Sequence, residues 1–422
     1  MSEWKEKNLN ELGFTYTGLS GKTQKDFGRG KPFIPFLNIM SNEKINLDFL
    51  GYVEVAPNER QNTVQKGDIF FTTSSETPEE VGMTSVLLND IRECYLNSFC
   101  FGFRLFNYDD ILPEFAVYFF RGTDIRKQII NLGQGYTRFN LPKTELLKKI
   151  KLILPSLPEQ QKIAKILSTA DGVIEKTQAA IAKYKAIKQG MLHDLFTRGI
   201  DLNTNKLRPR YEAAPHLYKK TKIGMIPKEW KVDRFGEVVN SYSGGTPSRE
   251  IESYYKGEYP WVTSSEVNQD EIFQTKEHIT DIAIKNSSAK WVEPNTVLIA
   301  LYGATAGQIS LLRIKATTNQ AVLACPILKN VSSDYLYFFL TFNKENLLNK
   351  TQGTGQPNLS KTIIDALEVV VPDEKEQKLI AARLSAIDNK LQTEQAYLRK
   401  MQAVKKGMME DLLTGKKQVK LI

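Results

Sequence analysis

The sequence predicts an α+β protein built twice. Two similar domains of mixed α/β content are separated by two long helices that pack antiparallel as a coiled coil, giving a pseudo-two-fold internal repeat. Three observations lead there. Sliding the chain by 217 positions lays residues 155–197 on 372–414 without a gap, and 18 of those 43 pairs are identical, the mark of a duplication. The identities include Glu159/Glu376, Gln160/Gln377, Asp171/Asp388, Gly190/Gly407, Met191/Met408 and Asp194/Asp411. Both copies also carry a helical apolar stripe, and a weaker likeness extends into the segments on either side.

In chain order, residues 1–154 form the first domain, entered at Trp4, with short β-type runs such as Lys66-Gly-Asp-Ile-Phe-Phe71 and a core-type helix at Glu114-Phe-Ala-Val-Tyr-Phe-Phe120. Residues 155–199 form the first long helix, preceded by Pro155 with Pro158 in its first turn. Its seam positions are Ile163, Leu167, Ala170, Ile174, Thr177, Ile181, Tyr184, Ile187, Met191 and Leu195, mostly in 3,4 alternation. Such spacing over more than three heptads predicts a coiled-coil seam, and residues 159–196 would span about 57 Å at 1.5 Å per residue. Residues 200–228, with Pro209, Pro215 and Pro227, form a linker. The second domain, 229–371, is entered at Trp230 and repeats the matched runs as Glu293-Pro-Asn-Thr-Val-Leu-Ile299 and Asp334-Tyr-Leu-Tyr-Phe-Phe339. The second long helix, 372–415, places Ile380, Leu384, Ile387, Leu391, Glu394, Leu398, Met401, Val404, Met408 and Leu412 along the same stripe, and residues 416–422 are a tail. Thr177 and Glu394 put polar groups at one seam position, which would fix register. Gly190 and Gly407 each weaken a helix by about 1 kcal/mol relative to alanine, so a close backbone crossing or an altered helix end is expected there.

The formal net charge is +9, from 57 basic and 48 acidic residues. It is unevenly placed. Residues 1–154 hold 19 of each sign and residues 211–371 hold 17 of each, whereas 155–210 hold 10 basic and 5 acidic, and 372–422 hold 11 and 7. The surplus lies on the helices and linker. Neither the composition, 41% hydrophobic and 25% charged, nor the patterning fits a disordered chain. No run reaches the roughly 18 apolar residues of a membrane span. The first residues lack the apolar core of a signal peptide, so a cytoplasmic protein without a membrane partner is expected. Cys94, Cys100 and Cys325 have no metal-ligand spacing and are read as reduced, buried thiols.

Catalytic chemistry finds little support. Gly18-Leu-Ser-Gly-Lys-Thr23 resembles a phosphate-binding loop, but Tyr16 stands where the first glycine is needed, and the second copy, Ser243-Gly-Gly-Thr246, lacks the lysine. A turn entering a strand accounts for it better. His193, His216 and His278 are too scattered for a zinc set or a triad. No metal ligands and no catalytic residues are assigned.

What remains is recognition. Lys22, Thr23, Arg29 and Lys31 in the first domain, and Thr246, Arg249, Tyr254, Tyr255 and Lys256 in the second, stand in glycine-punctuated loops. A later pair of loops carries Gln134, Tyr136, Arg138 and Asn140, answered by Gln352, Thr354, Gln356 and Asn358. Arginine and lysine pair with guanine, glutamine and asparagine with adenine, and hydroxyls with phosphates. The occurrence of such groups at matched places in both domains makes them candidate DNA-binding residues.

The layout resembles the specificity subunits of type I restriction-modification systems. The likeness rests on Pro155-Ser-Leu-Pro-Glu-Gln-Gln-Lys-Ile-Ala164 and its copy Pro372-Asp-Glu-Lys-Glu-Gln-Lys-Leu-Ile-Ala381. It rests also on Ile223-Gly-Met-Ile-Pro-Lys-Glu-Trp230, Gly244-Gly-Thr-Pro247 and the Asp-Leu-hydrophobic-Thr ends at Asp194 and Asp411. The first domain keeps only Trp4 of the Ile-Pro-x-x-Trp entrance. The resemblance implies two target-recognition domains, each reading half of a bipartite, asymmetric double-stranded DNA site, with the helices setting the spacer and docking two methyltransferase subunits. It implies no cofactor on this chain, with S-adenosylmethionine in the modification subunits and ATP and magnesium in the restriction subunits. The chain would then be non-catalytic by itself, in a complex that methylates adenine and cleaves DNA. The alternative is a coiled-coil scaffold that binds only proteins.

Overall fold

The computed structural model describes residues 4–349 and 358–420. Two compact units are present, one drawing on Met1–Ala179 and Ala396–Ile422, the other on Ala180–Gln395. The long helices run unbroken over Leu157–Thr197 and Glu374–Leu413, so each helix gives one half to each unit.

In the first unit, the core joins Ile163 and Leu167, near the start of one helix, to Leu412 and Leu413 at the end of the other. In the second unit, Leu192, Leu195 and Phe196 meet Ile380, Ala381 and Leu384 in the same way. Beginning against end in each case makes the packing antiparallel. Ile163, Leu167, Ala170, Thr177, Ile181, Leu195, Ile380, Leu384, Leu391 and Leu412 are buried, while Ile174, Met191, Leu398 and Met408 are half-buried.

The expected stripe fails at one repeated position. Ile187 and its counterpart Val404 are 39% and 40% exposed, and the neighbouring Lys188 and Lys405 turn inward. Lys405 Nζ lies 2.6 Å from Asp171 in the first unit, and Lys188 Nζ 2.5 Å from Asp388 in the second. A step of four residues from Tyr184 or Met401 keeps the lysine on the packed face, and a sheltered carboxylate opposite requires a cation. Thr177 and Glu394 do not fix register across the seam. Thr177 Oγ1 donates to its own helix at the Val173 carbonyl, 2.8 Å away, and Glu394 pairs with Lys390 at 3.0 Å. Nor do Gly190 and Gly407 mark a close crossing, because a methyl group at either would meet nothing within 4 Å.

The first unit carries an antiparallel four-stranded sheet in the order Gly13–Thr17, Cys100–Leu105, Ile69–Thr72, Thr84–Val86, and a smaller sheet built on Phe27–Ile34. Phe71, Phe101 and Phe103 pack on helix Pro113–Phe119, whose run of aromatic residues is buried. The second unit has a five-stranded sheet centred on Thr296–Ala300, packed under helix Ser333–Phe342, and a four-stranded sheet that pairs Tyr259–Val262 with Ala316–Thr318. Glycine-lined turns feed these sheets, and the Ser20-Gly-Lys-Thr23 stretch is such a turn, leading into strand Phe27–Ile34.

Each unit closes onto its helices identically. Lys5–Asn8 pairs antiparallel with Lys151–Leu154, and Lys231–Arg234 with Glu368–Val371. Gln160 Oε1 accepts the Leu112 N–H at 2.9 Å while its amide donates to the carbonyls of Asp110 and Pro155. Gln377 does the same with Ser332, Asn330 and Pro372. Past the helix ends, Gly199 and Gly415 have φ of +63° and +72°, the left-handed cap that favours glycine. Trp230 and Trp4 lie where a Cβ on them would point.

Candidate nucleic-acid interface

The first candidate loop is shaped by its glycines. Gly28 and Gly30 have φ of +102° and +98°, so Gly28-Arg29-Gly30 bulges out of the ladder while Phe27 and Lys31 both face Val53. The bulge carries Arg29 into solvent, yet its guanidinium is 2.8 Å from Glu54. Lys22 and Lys31 are likewise held by Glu59 and Glu93, and Thr23 is engaged with Asp26, whose carboxylate accepts its N–H at 2.7 Å. Those hydrogen bonds, backbone first, lower the Asp26 carboxyl below its ordinary range, and the bond from Lys31 does the same to Glu93.

The second loop of this unit is a tight hairpin. Gln134 and Asn140 exchange both backbone hydrogen bonds, at 3.0 and 2.8 Å, and Phe139–Asn140 pairs with Ser74–Ser75. Tyr136 at the tip is 99% exposed. Arg138 donates from Nε to Ser74 Oγ at 3.1 Å and lies 5.8 Å over the Phe99 ring.

In the second unit Thr246 bonds the Gln320 side chain. Arg249 stacks on Tyr255 at 4.1 Å and Trp261 at 5.2 Å, and its two terminal nitrogens reach Glu277 at 2.6 and 3.1 Å. Tyr254 and Tyr255 are half-buried: Tyr254 Oη accepts from Asn286, and Tyr255 Oη donates to the Pro247 carbonyl at 2.6 Å. Lys256 pairs with Glu252 at 3.3 Å. Asn358 bridges to Tyr302 as Asn140 does to Ser74, while Gln352, Thr354 and Gln356 lie outside the described residues. Thus Lys22, Arg29, Lys31, Arg249 and Lys256 all sit in ion pairs. The exposed pairs of Arg29, Lys31, Arg249 and Lys256 are worth about 0–1 kcal/mol and exchange readily for another anion, whereas the Lys22 side chain is sheltered.

Sequence reasoning passed over several residues that shape these surfaces. Phe99 is 54% exposed beside Arg138. Lys143 lies 5.1 Å over Phe101, and burial lowers its amine below the usual range. At the base of the second unit, Glu376 accepts from Arg208 at both oxygens, from Trp230 Nε1 at 3.0 Å and from the Ile200 N–H at 2.7 Å. The identity of Glu159 with Glu376 signalled that position without revealing its partners. Among the described residues no group of three His, Cys, Asp or Glu side chains is placed to hold a metal ion, and no helix is long and apolar enough to cross a membrane.

Comparison with known proteins agrees with this duplicated geometry. Residues 1–183 and 227–401 match the family model described as the type I restriction modification DNA specificity domain. The putative type I restriction enzyme MjaX specificity subunit of Methanocaldococcus jannaschii is 27% identical, the match covering 99% of this chain and 94% of that protein. The MjaVIII specificity subunit of the same organism is 27% identical over 65% of this chain and 64% of its own length. The type I restriction-modification S subunit of M. genitalium shares the fold at a TM-score of 0.59 and 15% identity, covering 100% of this chain and 97% of that one. With the family model answering both halves of the repeat, the chain belongs to the specificity subunits of type I restriction-modification systems.

Proposed function

We propose that each unit of this specificity subunit reads one half of a bipartite, asymmetric DNA site, that the paired helices set the unspecified spacer, and that the helices dock two methyltransferase subunits. The chain itself performs no chemistry in this reading. S-adenosylmethionine belongs to the modification subunits, and ATP and magnesium to the restriction subunits. The observation that carries it is the repeated fastening: Gln160 and Gln377 tie unlike loop sets to the helices in the same way, and Asp171–Lys405 and Lys188–Asp388 join helix to helix in each unit. A frame that is constant while the loops differ suits two independent readers. Exchanging residues 1–154 for those of another family member should change one half of the methylated motif, and adding one heptad to both helices should lengthen only the spacer. Adenine methylation mapping in cells reads both outcomes, and a change in both halves, or an unchanged spacer, would refute the assignment.

A further inference from the structure

The first unit has an open cleft of about 700 Å³ between hairpin 133–140 and the turn that carries Phe99, with Leu37 on another wall. Three features separate it from the rest of the candidate surface. Arg138, unlike the five other basic candidates, has no carboxylate partner among the described residues. Its Nε is committed to Ser74 Oγ and its face to Phe99, which orients the guanidinium and leaves its two terminal nitrogens for a ligand. The Phe99 ring is 54% exposed although its backbone is pinned, with its carbonyl accepting from Thr73 N at 2.9 Å and Thr73 Oγ1 at 2.7 Å and its N–H donating to Asn97 at 2.8 Å. Glu76 and Glu80 also line the cleft, and their charge disfavours a phosphate there while an uncharged base pair, whose cytosine N4 amino group can donate, is accepted.

We infer that this cleft takes a base edge in the major groove, Arg138 donating both terminal nitrogens to O6 and N7 of a guanine and Phe99 lying against the C5 edge of the neighbouring pyrimidine. The inference rests on the first unit being a DNA reader and names its specificity-determining pair. A pre-oriented guanidinium gives discrimination of roughly 5- to 150-fold per base, and an apolar ring beside it favours a pyrimidine methyl over a phosphate or sugar.

The test uses the full chain assembled with its modification subunits, on duplexes carrying the motif found by methylation mapping. With the unaltered protein, 7-deazaguanine is substituted at each guanine of the half that domain exchange assigns to residues 1–154. One substitution should weaken binding roughly 5- to 150-fold, and R138A should bind that duplex and the normal one alike. In cells, R138A and F99A should relax neighbouring positions of that half only, and R138K should not restore the guanine. Indifference of the unaltered protein to 7-deazaguanine at every guanine of that half, or an unrelaxed motif with R138A, overturns the inference while leaving the unit a reader. If domain exchange changes neither half, the underlying reading has failed instead.

Discussion

Replacing Lys405 by methionine tests the fastening of the first unit most directly. Its ammonium lies 2.6 Å from Asp171 and 2.5 Å from Glu43, with side-chain exposures of 14%, 15% and 26%, and 5.4 Å over the Tyr118 ring, whose hydroxyl donates to Asp171 at 2.6 Å. Burial, which lowers the amine, is outweighed by its bonds to Asp171 and Glu43, and the net direction is upward. Methionine keeps the aliphatic stem but strands two sheltered carboxylates, a loss of about 3–5 kcal/mol. Lys188→Met in the second unit strands only Asp388 and should fall at the lower end of that range. Urea unfolding gives the totals, and hydrogen exchange at residues 157–179 and 396–413 localises the effect of Lys405→Met to the first unit. Exchanging the two charges tests the asymmetry further. K188D with D388K should recover most of the stability, whereas K405D with D171K should not, because the reversed pair sets a carboxylate beside Glu43. Losses below about 1 kcal/mol for both methionine variants, the value of an exposed pair, would refute the reasoning.

Burial raises the Asp388 carboxyl above its ordinary 3.8, against the opposing pull of Lys188. The folded chain therefore holds that proton more tightly than the unfolded one, and this group's contribution to stability falls as pH rises from 3.8 through the raised value. Asp388→Asn should remove that slope from the pH dependence of the unfolding free energy, and an unchanged slope would count against it. Gly190→Ala and Gly407→Ala, in open helical positions, should each stabilise the chain by about 0.5–1 kcal/mol; a fall in the melting temperature would show that the sites are not open. Burial pushes the Cys94 thiol up to about 12 and also raises Cys100 and Cys325, so native protein should leave all three unreacted with a disulfide reagent near pH 8 and titrate three on denaturation. Rapid reaction of any one in the native state would contradict the burial.

The helices were legible because their signal is local. A 3,4 alternation and a 43-residue repeat can be read from the chain itself, and every stripe residue but Ile187 and Val404 is buried or half-buried. The stripe failed at Ile187 and Val404 because the deciding group, a carboxylate on the facing helix, belongs to another part of the chain. The identities of Asp171 with Asp388 and of Lys188 with Lys405 were visible, but only the antiparallel register shows that each aspartate meets the other copy's lysine. The candidate cations were found by residue type and loop setting, while their partners lie 37 residues away for Lys22, 62 for Lys31 and 28 for Arg249. Phe99 left no trace in periodicity, since a lone aromatic residue in a polar turn belongs to no stripe.

The duplication lets one half of the molecule serve as a control for the other. Contacts that recur do so across different surroundings: Gln160 and Gln377 bridge to different residues with the same three hydrogen bonds, and Trp4 and Trp230 each meet the left-handed glycine that follows the C-terminal end of a long helix. Contacts that do not recur lie in the loops, where a bulged Arg29 paired with Glu54 has no match in an Arg249 stacked on Tyr255 and Trp261. Chance divergence would erode both sets alike. Retention at the helix junctions beside variation in the loops is what the proposed function requires: a fixed junction geometry, with each loop set answering to its own half-site. The charge distribution agrees. The loop cations are largely neutralised by neighbouring carboxylates, so the proposed discrimination there would depend on oriented donors more than on bulk field, while Lys165, Lys176, Lys183, Arg399, Lys400 and Lys406 stand exposed on the helices and concentrate positive potential along them.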